Sequence, residues 1–202
     1  MDLRTLRKAE LHLHLEGAVE PRTLVEIHPE LSLEEVRARY QYADFHGFLM
    51  AFKWVNSFLT EPRHFALVTR RLLEQLAAQG VVYAEINVSA GVLLWRNLPL
   101  DDIFPAIVQA AADGPLPVRF VFDAVRHFGL EHVWATARHA VKHRPLGVVA
   151  FGVGGDERNG PVEQFKEVFD YVCDNGLRLV PHAGEAMGPE SVWKALECGA
   201  DR

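Results

Sequence analysis

The chain has 202 residues, 49% of them hydrophobic and 24% charged, which is enough apolar material for one sizeable core and too much for a disordered chain. A formal net charge of −6 leaves no basic excess to hold a phosphate backbone or an anionic lipid surface, so neither nucleic acid nor a membrane is expected as a partner. The opening MDLRTLRKAE mixes both charge signs, and no apolar run nears the ~20 residues of a membrane span, so the expected compartment is cytoplasmic.

The first predicted strand is AELHLHL (9–15), and a long, mainly helical stretch, about 21–79, follows it. That is more than one crossover needs, so it is read as a helical insertion after the first strand. Tyr40, Phe45, Phe48, Phe52, Trp54 and Phe58 concentrate there. They fit either a helix pair that buries its own aromatics or a hydrophobic lid over a pocket.

From residue 80 onward one rhythm repeats: a β-branched apolar run, a loop, then a segment of helical period. The runs are VVYAEINV (81–88), PVRFVFDAV (117–125), LGVVAFGV (146–153) and LRLVPHAG (177–184), apolar on nearly every residue, as strands covered on both faces are. Between them Phe65, Val68, Leu72 and Leu76, and later Val162, Phe165, Val168, Phe169 and Val172, recur at helical spacing. Thr60 is the expected cap of the first of these helices, and Gly80 and Gly176 their stops; a last helix is expected over about 189–198. Cys173 and Cys198 are distant in sequence and read as reduced, buried thiols.

The fold class is therefore α/β, with βα repetition around a mostly parallel sheet. Five strands are about five of the eight in a (β/α)8 TIM-type barrel, which runs to ~250 residues. Residues 1–202 are read as a single partial barrel domain with the insertion at 21–79. The two edge strands of such a partial barrel, near 10–14 and 178–182, invite self-association.

Residues two apart in a strand share a face, so His12 and His14 in LHLHLEG project together and suit one metal ion; two hydrogen-bonded or solvent-facing histidines are the plainer alternative. PHAGE (181–185) follows the fifth strand, at the end of the sheet where barrel enzymes gather their catalytic groups, and offers His182 as a third nitrogen. Three histidines leave zinc an open position for water, whose pKa falls to ~7 on the metal. Glu185 is the expected acid, donating a proton to a purine ring nitrogen as hydroxide adds at the adjacent carbon; a carboxylate in the first turn of a helix is the alternative. FGVGGDE (151–157) carries three glycines and lets a flat ligand approach the backbone, though such turns are often only turns. It lacks the GxGxxG spacing of a dinucleotide site, and the two cysteines cannot form the PCxxC of cytidine-deaminase zinc sites.

KAELHLHLEGAVEP, GVVYAEINVS, GVVAFGVGGDE and HAGE resemble, in order and approximate spacing, the adenosine/adenine deaminase family of metal-dependent amidohydrolases. The resemblance implies one Zn2+ per chain held by His12, His14 and His182, with Glu185 as the catalytic proton donor. It implies a small-molecule purine substrate met by His14, by Glu16 on its sugar side, by Ser89, and by the backbone N–H of Gly155. The family's water-orienting histidine and its aspartate pair fall beyond Arg202, so the chain alone is expected to be incomplete and inactive.

The expected reaction is hydrolytic deamination of a 6-aminopurine nucleoside, adenosine plus water giving inosine plus ammonia. Adenosine deaminases usually carry aspartate where this chain has Glu16 and again where it has Gly152. The HLEG form resembles adenine and aminodeoxyfutalosine deaminases more closely. Other readings are a two-metal barrel hydrolase using the same HxH, and a non-catalytic or split barrel that binds zinc or purine or pairs with a missing C-terminal part.

Overall fold

The computed structural model describes Arg4 and residues 6–202; Met1, Asp2, Leu3 and Thr5 of the opening segment lie outside the described residues. All five predicted strands are present: β1 Lys8–His14, β2 Val81–Val88, β3 Val118–Val125, β4 Val148–Gly154 and β5 Arg178–Leu179. They form one sheet in the order β1-β2-β3-β4-β5, the consecutive order of a (β/α)8 barrel, of which they are five strands. β3 pairs with β4 in parallel, Val121 opposite Ala150 and Asp123 opposite Gly152, and β4 pairs in parallel with β5.

β5 is shorter than the predicted 178–182. Pro181 has no N–H to give to a ladder, yet the amides of Val180 and His182 still donate to the carbonyls of Phe151 and Val153, at 2.9 Å each. The extended register therefore carries on to His182.

The helices are α1 Pro21–Ile27, α2 Leu33–Arg39, α3 Phe45–Phe58, α4 Pro62–Ala78, α5 Ala90–Trp95, α6 Leu100–Ala112, α7 Leu130–Lys142, α8 Lys166–Asp174 and α9 Pro189–Glu197. Among the described residues no helix is long and apolar enough to cross a membrane. The chain forms two compact units, one of Met1–Ile86 with Asp101–Val118, the other of Asn87–Leu100 with Arg119–Arg202.

In the first unit the predicted insertion is four helices, α1 to α4. Ser32 and Glu35 start α2 with a capping box, the Glu35 amide donating to the Ser32 hydroxyl at 3.1 Å and the Glu35 carboxylate accepting the Ser32 amide at 3.0 Å. Asp44 caps α3 by accepting the amide of Gly47 at 2.7 Å. Helix α4 buries Phe65, Val68, Leu72 and Leu76, the predicted face. Its cap is Glu61 rather than Thr60, because Pro62 takes the first helical position and fixes the residue before it as the boundary. His64 completes that cap, its Nδ1 accepting the amides of Thr60 and Glu61 at 3.3 and 3.4 Å. Gly80 stops the helix at φ +80°, and the Lys8 amide of β1 donates to its carbonyl.

The aromatics of the insertion are not buried as one of the two sequence expectations had them. Phe45 and Phe48 are exposed, and Tyr40, Phe52, Trp54 and Phe58 are half-buried. Several pair with one another instead, Phe45 stacked on Phe48 at 5.9 Å and Phe48 tilted against Phe52 at 6.2 Å between ring centres.

In the second unit α7 packs on β4 and on α8. Val162 and Phe165, in a short 3-10 turn, and Val168, Phe169 and Val172 of α8 are all buried, as their spacing predicted. Both cysteines are free, but only Cys198 is buried; Cys173 is exposed, because the apolar face of α8 ends at Val172 and the next residue points away from it.

Candidate active site

In the first unit His12 and His14 close β1, and their Nε2 atoms stand 3.2 Å apart. Two nitrogens each about 2.0–2.1 Å from a single tetrahedral zinc ion are separated by roughly 3.3 Å, so the pair has the spacing of two ligands to one metal. The same spacing also serves a hydrogen bond between two neutral imidazoles. The ring of Phe52, from α3, meets His14 edge-on at 6.5 Å. Glu16 begins the short turn after β1 and is 1% exposed.

In the second unit the chemistry-bearing residues lie at the C-terminal ends of β2, β3, β4 and β5. Ser89 follows β2, is buried, and its carbonyl accepts the amides of Val92 and Leu93 to start α5. Asn87 and Asp123 are both buried, and the Asn87 side-chain amide donates to the Asp123 carboxylate at 2.8 Å. Opposite Asp123 in the β3/β4 register is Gly152, where a Cβ would lie 2.2 Å from Asp123 Oδ1 and 2.9 Å from the carbonyl of Val180. The Asp123 carboxylate thus fills the space over Gly152, one of the two positions at which the sequence departs from adenosine deaminases.

Gly155 has φ +94°, and a Cβ there would meet the His127 ring at 2.8 Å. His127 Nδ1 accepts the amide of Asp156 at 3.2 Å. Burial pushes the His127 pKa down, outweighing the pull of Asp156, and the neutral ring is the form able to accept that bond.

The His182 ring lies over Gly154, whose added Cβ would be in ordinary contact with it at 3.6 Å. Glu185 is exposed and sits in a loop four residues before α9 begins at Pro189, so it is not in the first turn of a helix, as one sequence expectation had it.

Two buried charged residues that the sequence did not single out hold this loop. The Glu157 carboxylate, 2% exposed, accepts the amides of Gly184 at 2.7 Å, Ala186 at 2.6 Å and Met187 at 3.0 Å, and the hydroxyl of Ser191 at 2.7 Å. Burial alone would raise its pKa, but these hydrogen bonds together hold it below the usual carboxylate range. The Arg126 guanidinium, 1% exposed, donates to the carbonyl of His182, and at 3.2 Å to those of Val153 and Gly160. Burial lowers its pKa, with Glu157 the largest opposing charge.

Residues 7–202 match the adenosine deaminase family. The chain is 37% identical to the aminodeoxyfutalosine deaminase of Streptomyces avermitilis over 95% of its own length and 57% of that relative. It is 32% identical to the adenosine deaminase of Mycobacterium avium, covering 99% of this chain and 60% of the relative. The chain thus spans about three fifths of the length of these relatives. Among solved structures, the adenine deaminase of Arthrobacter aurescens superposes with a TM-score of 0.88 at 25% identity, over 96% of this chain and 63% of that one. A zinc-bound amidohydrolase from Burkholderia ambifaria superposes with the same TM-score, 0.88, at 26% identity, over 99% and 58%. The family model covers nearly the whole chain and the relatives it resembles are deaminases, so this chain belongs to the adenosine deaminase family.

Proposed function

We propose that the chain is the metal-binding portion of a zinc-dependent deaminase that hydrolyses the exocyclic amine of a 6-aminopurine. The observation that carries this is the His12–His14 pair, with 3.2 Å between its Nε2 atoms at the end of β1, in a chain whose β5 runs into HAGE. His182 is the third ligand, and the donor set of three imidazoles suits one zinc ion with a position left open. Bound there, zinc lowers the pKa of water and supplies hydroxide near neutral pH.

The chain's own residues do the rest. Glu185, exposed on the His182 loop, gives a proton to the purine ring nitrogen beside the attacked carbon, so that electron density displaced by the new C–O bond is neutralised where it accumulates. The added hydroxyl then gives up its proton as the carbonyl forms, the amine gains one, and the C–N bond breaks so that ammonia leaves. Gly155 presents its N–H to the purine on a backbone whose positive φ and tight fit against His127 exclude a side chain. Glu16 meets the sugar side, while Ser89 and His14 line the substrate. Adenosine is the default substrate of the family. Adenine and aminodeoxyfutalosine remain the alternatives, and the 37% identity to an aminodeoxyfutalosine deaminase favours the latter. The compartment proposed is the cytosol.

The test is the ultraviolet change on adenosine, adenine and aminodeoxyfutalosine, for this chain and for a form extended to the length of its relatives, with zinc quantified in both. Activity is expected only in the extended form, and its substrate names the enzyme. No activity in either, with one zinc bound, would overturn the assignment of deamination.

A further inference from the structure

We propose that Arg126 and Glu157 are positioning residues, a buried charged clamp that holds the backbone of residues 182–187 from both polarities. This rests on the reading above, in which that segment carries the zinc ligand His182 and the acid Glu185. The segment is neither helix nor strand after His182; it contains Gly184 at φ +84° and is followed by Gly188 at φ +73°. Such a stretch loses more conformational freedom on ordering than any other backbone, so its geometry has to be imposed from outside. Arg126 takes the carbonyl at one end, that of His182, while also binding Val153 of β4 and Gly160 beyond it. Glu157 takes the amides of Gly184, Ala186 and Met187. Every other amide from 182 to 186 is thereby fixed, His182 through Val153 and the next two through Glu157.

The arrangement has a direction. A carboxylate can accept several N–H groups and a guanidinium can donate to several carbonyls, but neither can do the other's work. A neutral pair in the same places would leave amides or carbonyls unsatisfied. The Ser191 hydroxyl, donating to Glu157, ties the start of α9 to the same carboxylate, so the loop is held between two fixed elements. Glu185 lies between two amides that Glu157 takes, those of Gly184 and Ala186, and its side chain is exposed.

The experiment compares the zinc-loaded chain with Glu157→Gln, which keeps size and one acceptor while turning an N–H donor toward the amides. Site-resolved hydrogen exchange and zinc competition against a chelator are both read. The amides of Gly184, Ala186 and Met187 are expected to be protected in the unaltered chain, to exchange at least about tenfold faster in the variant while those of β3 and β4 keep their rates, and zinc affinity to fall about tenfold, as for other residues that orient ligands. Fast exchange of those amides in the unaltered chain overturns the clamp, whatever the variant does. Accelerated exchange with unchanged zinc affinity also overturns it, since the pair would then be structural only. A His182→Ala variant that binds zinc as tightly as the unaltered chain would instead remove the metal assignment, leaving the exchange result to decide the clamp alone.

Discussion

Asp123 and Gly152 show how a single missing side chain can be filled from the neighbouring strand. A Cβ at 152 would lie 2.2 Å from the Asp123 carboxylate and 2.9 Å from a backbone carbonyl that cannot retreat. Gly152→Ala is therefore expected to destabilise the chain by about 1–3 kcal/mol, the usual cost of overpacking a filled interior, measured by urea unfolding. Asp123→Ala removes the nearer obstacle but strands the Asn87 amide that donates to it, itself costing about 1–3 kcal/mol. The two changes touch one space, so the double variant is expected to be more stable than the sum of the singles implies; strict additivity would show that the carboxylate does not occupy that space. Some of this scale was legible in the sequence: that His12 and His14 project together follows from a period of two, and their Nε2 atoms stand 3.2 Å apart. The roles of Arg126 and Glu157 were not, although Glu157 ends the FGVGGDE motif. A charged residue is exposed by default, and a sequence does not show that its partners are backbone amides and carbonyls.

At the scale of elements, apolar runs of β-branched residues named β2 to β5, because a strand covered on both faces has few polar positions to blur the pattern. Strand β1, KAELHLH, showed itself by its alternation instead. The boundaries that sequence missed depend on single residues acting at a distance of a few positions. Pro181 shortens β5, and Pro62 moves the cap of α4 from Thr60 to Glu61 with His64 as its partner. That second case has a pH signature. His64 accepts amides through Nδ1 and is buried, and burial lowers its pKa in the fold from the usual imidazole value near 6.5, with Glu61 opposing. The folded chain then binds the proton less readily than the unfolded one, so the cap's contribution is fully present above about pH 6.5 and falls away as pH drops through that value. Stability measured across pH 5 to 8 is expected to decline on the acid side of 6.5, and His64→Asn, which accepts the same amides without titrating, to flatten that part of the curve. An unchanged slope in the variant would assign it to other groups.

At the scale of the whole chain, the proposed zinc site and the sheet edges make separate demands. If three strand-end histidines hold the ion, zinc stabilises the fold by mass action, about 2.7 kcal/mol at a hundredfold excess over its dissociation constant. His12→Ala, His14→Ala and His182→Ala should each remove most of that gain in a thermal melt. Among the described residues the order β1-β2-β3-β4-β5 also leaves β1 and β5 each with one strand neighbour, and an edge strand is a template for another chain. On β5 the chain covers that edge itself, the Asp201 amide donating to the Leu179 carbonyl at 2.8 Å and the Asp201 carboxylate accepting the Leu179 amide at 2.9 Å. Leu11, on β1, is 38% exposed, so that strand offers apolar surface. We expect the chain by itself to self-associate in a concentration-dependent way, seen by light scattering between about 1 and 100 μM, the range in which exposed edges drive association. Leu11→Lys should suppress it, because a charge on an edge strand opposes pairing with a second copy. Zinc and association are separable by the same set: a histidine variant that loses zinc but still associates assigns the contact to the edges, whereas association that disappears with the metal would assign it to the ion. A monomer at every concentration would show that the β1 edge, like that of β5, is covered by the chain's own elements.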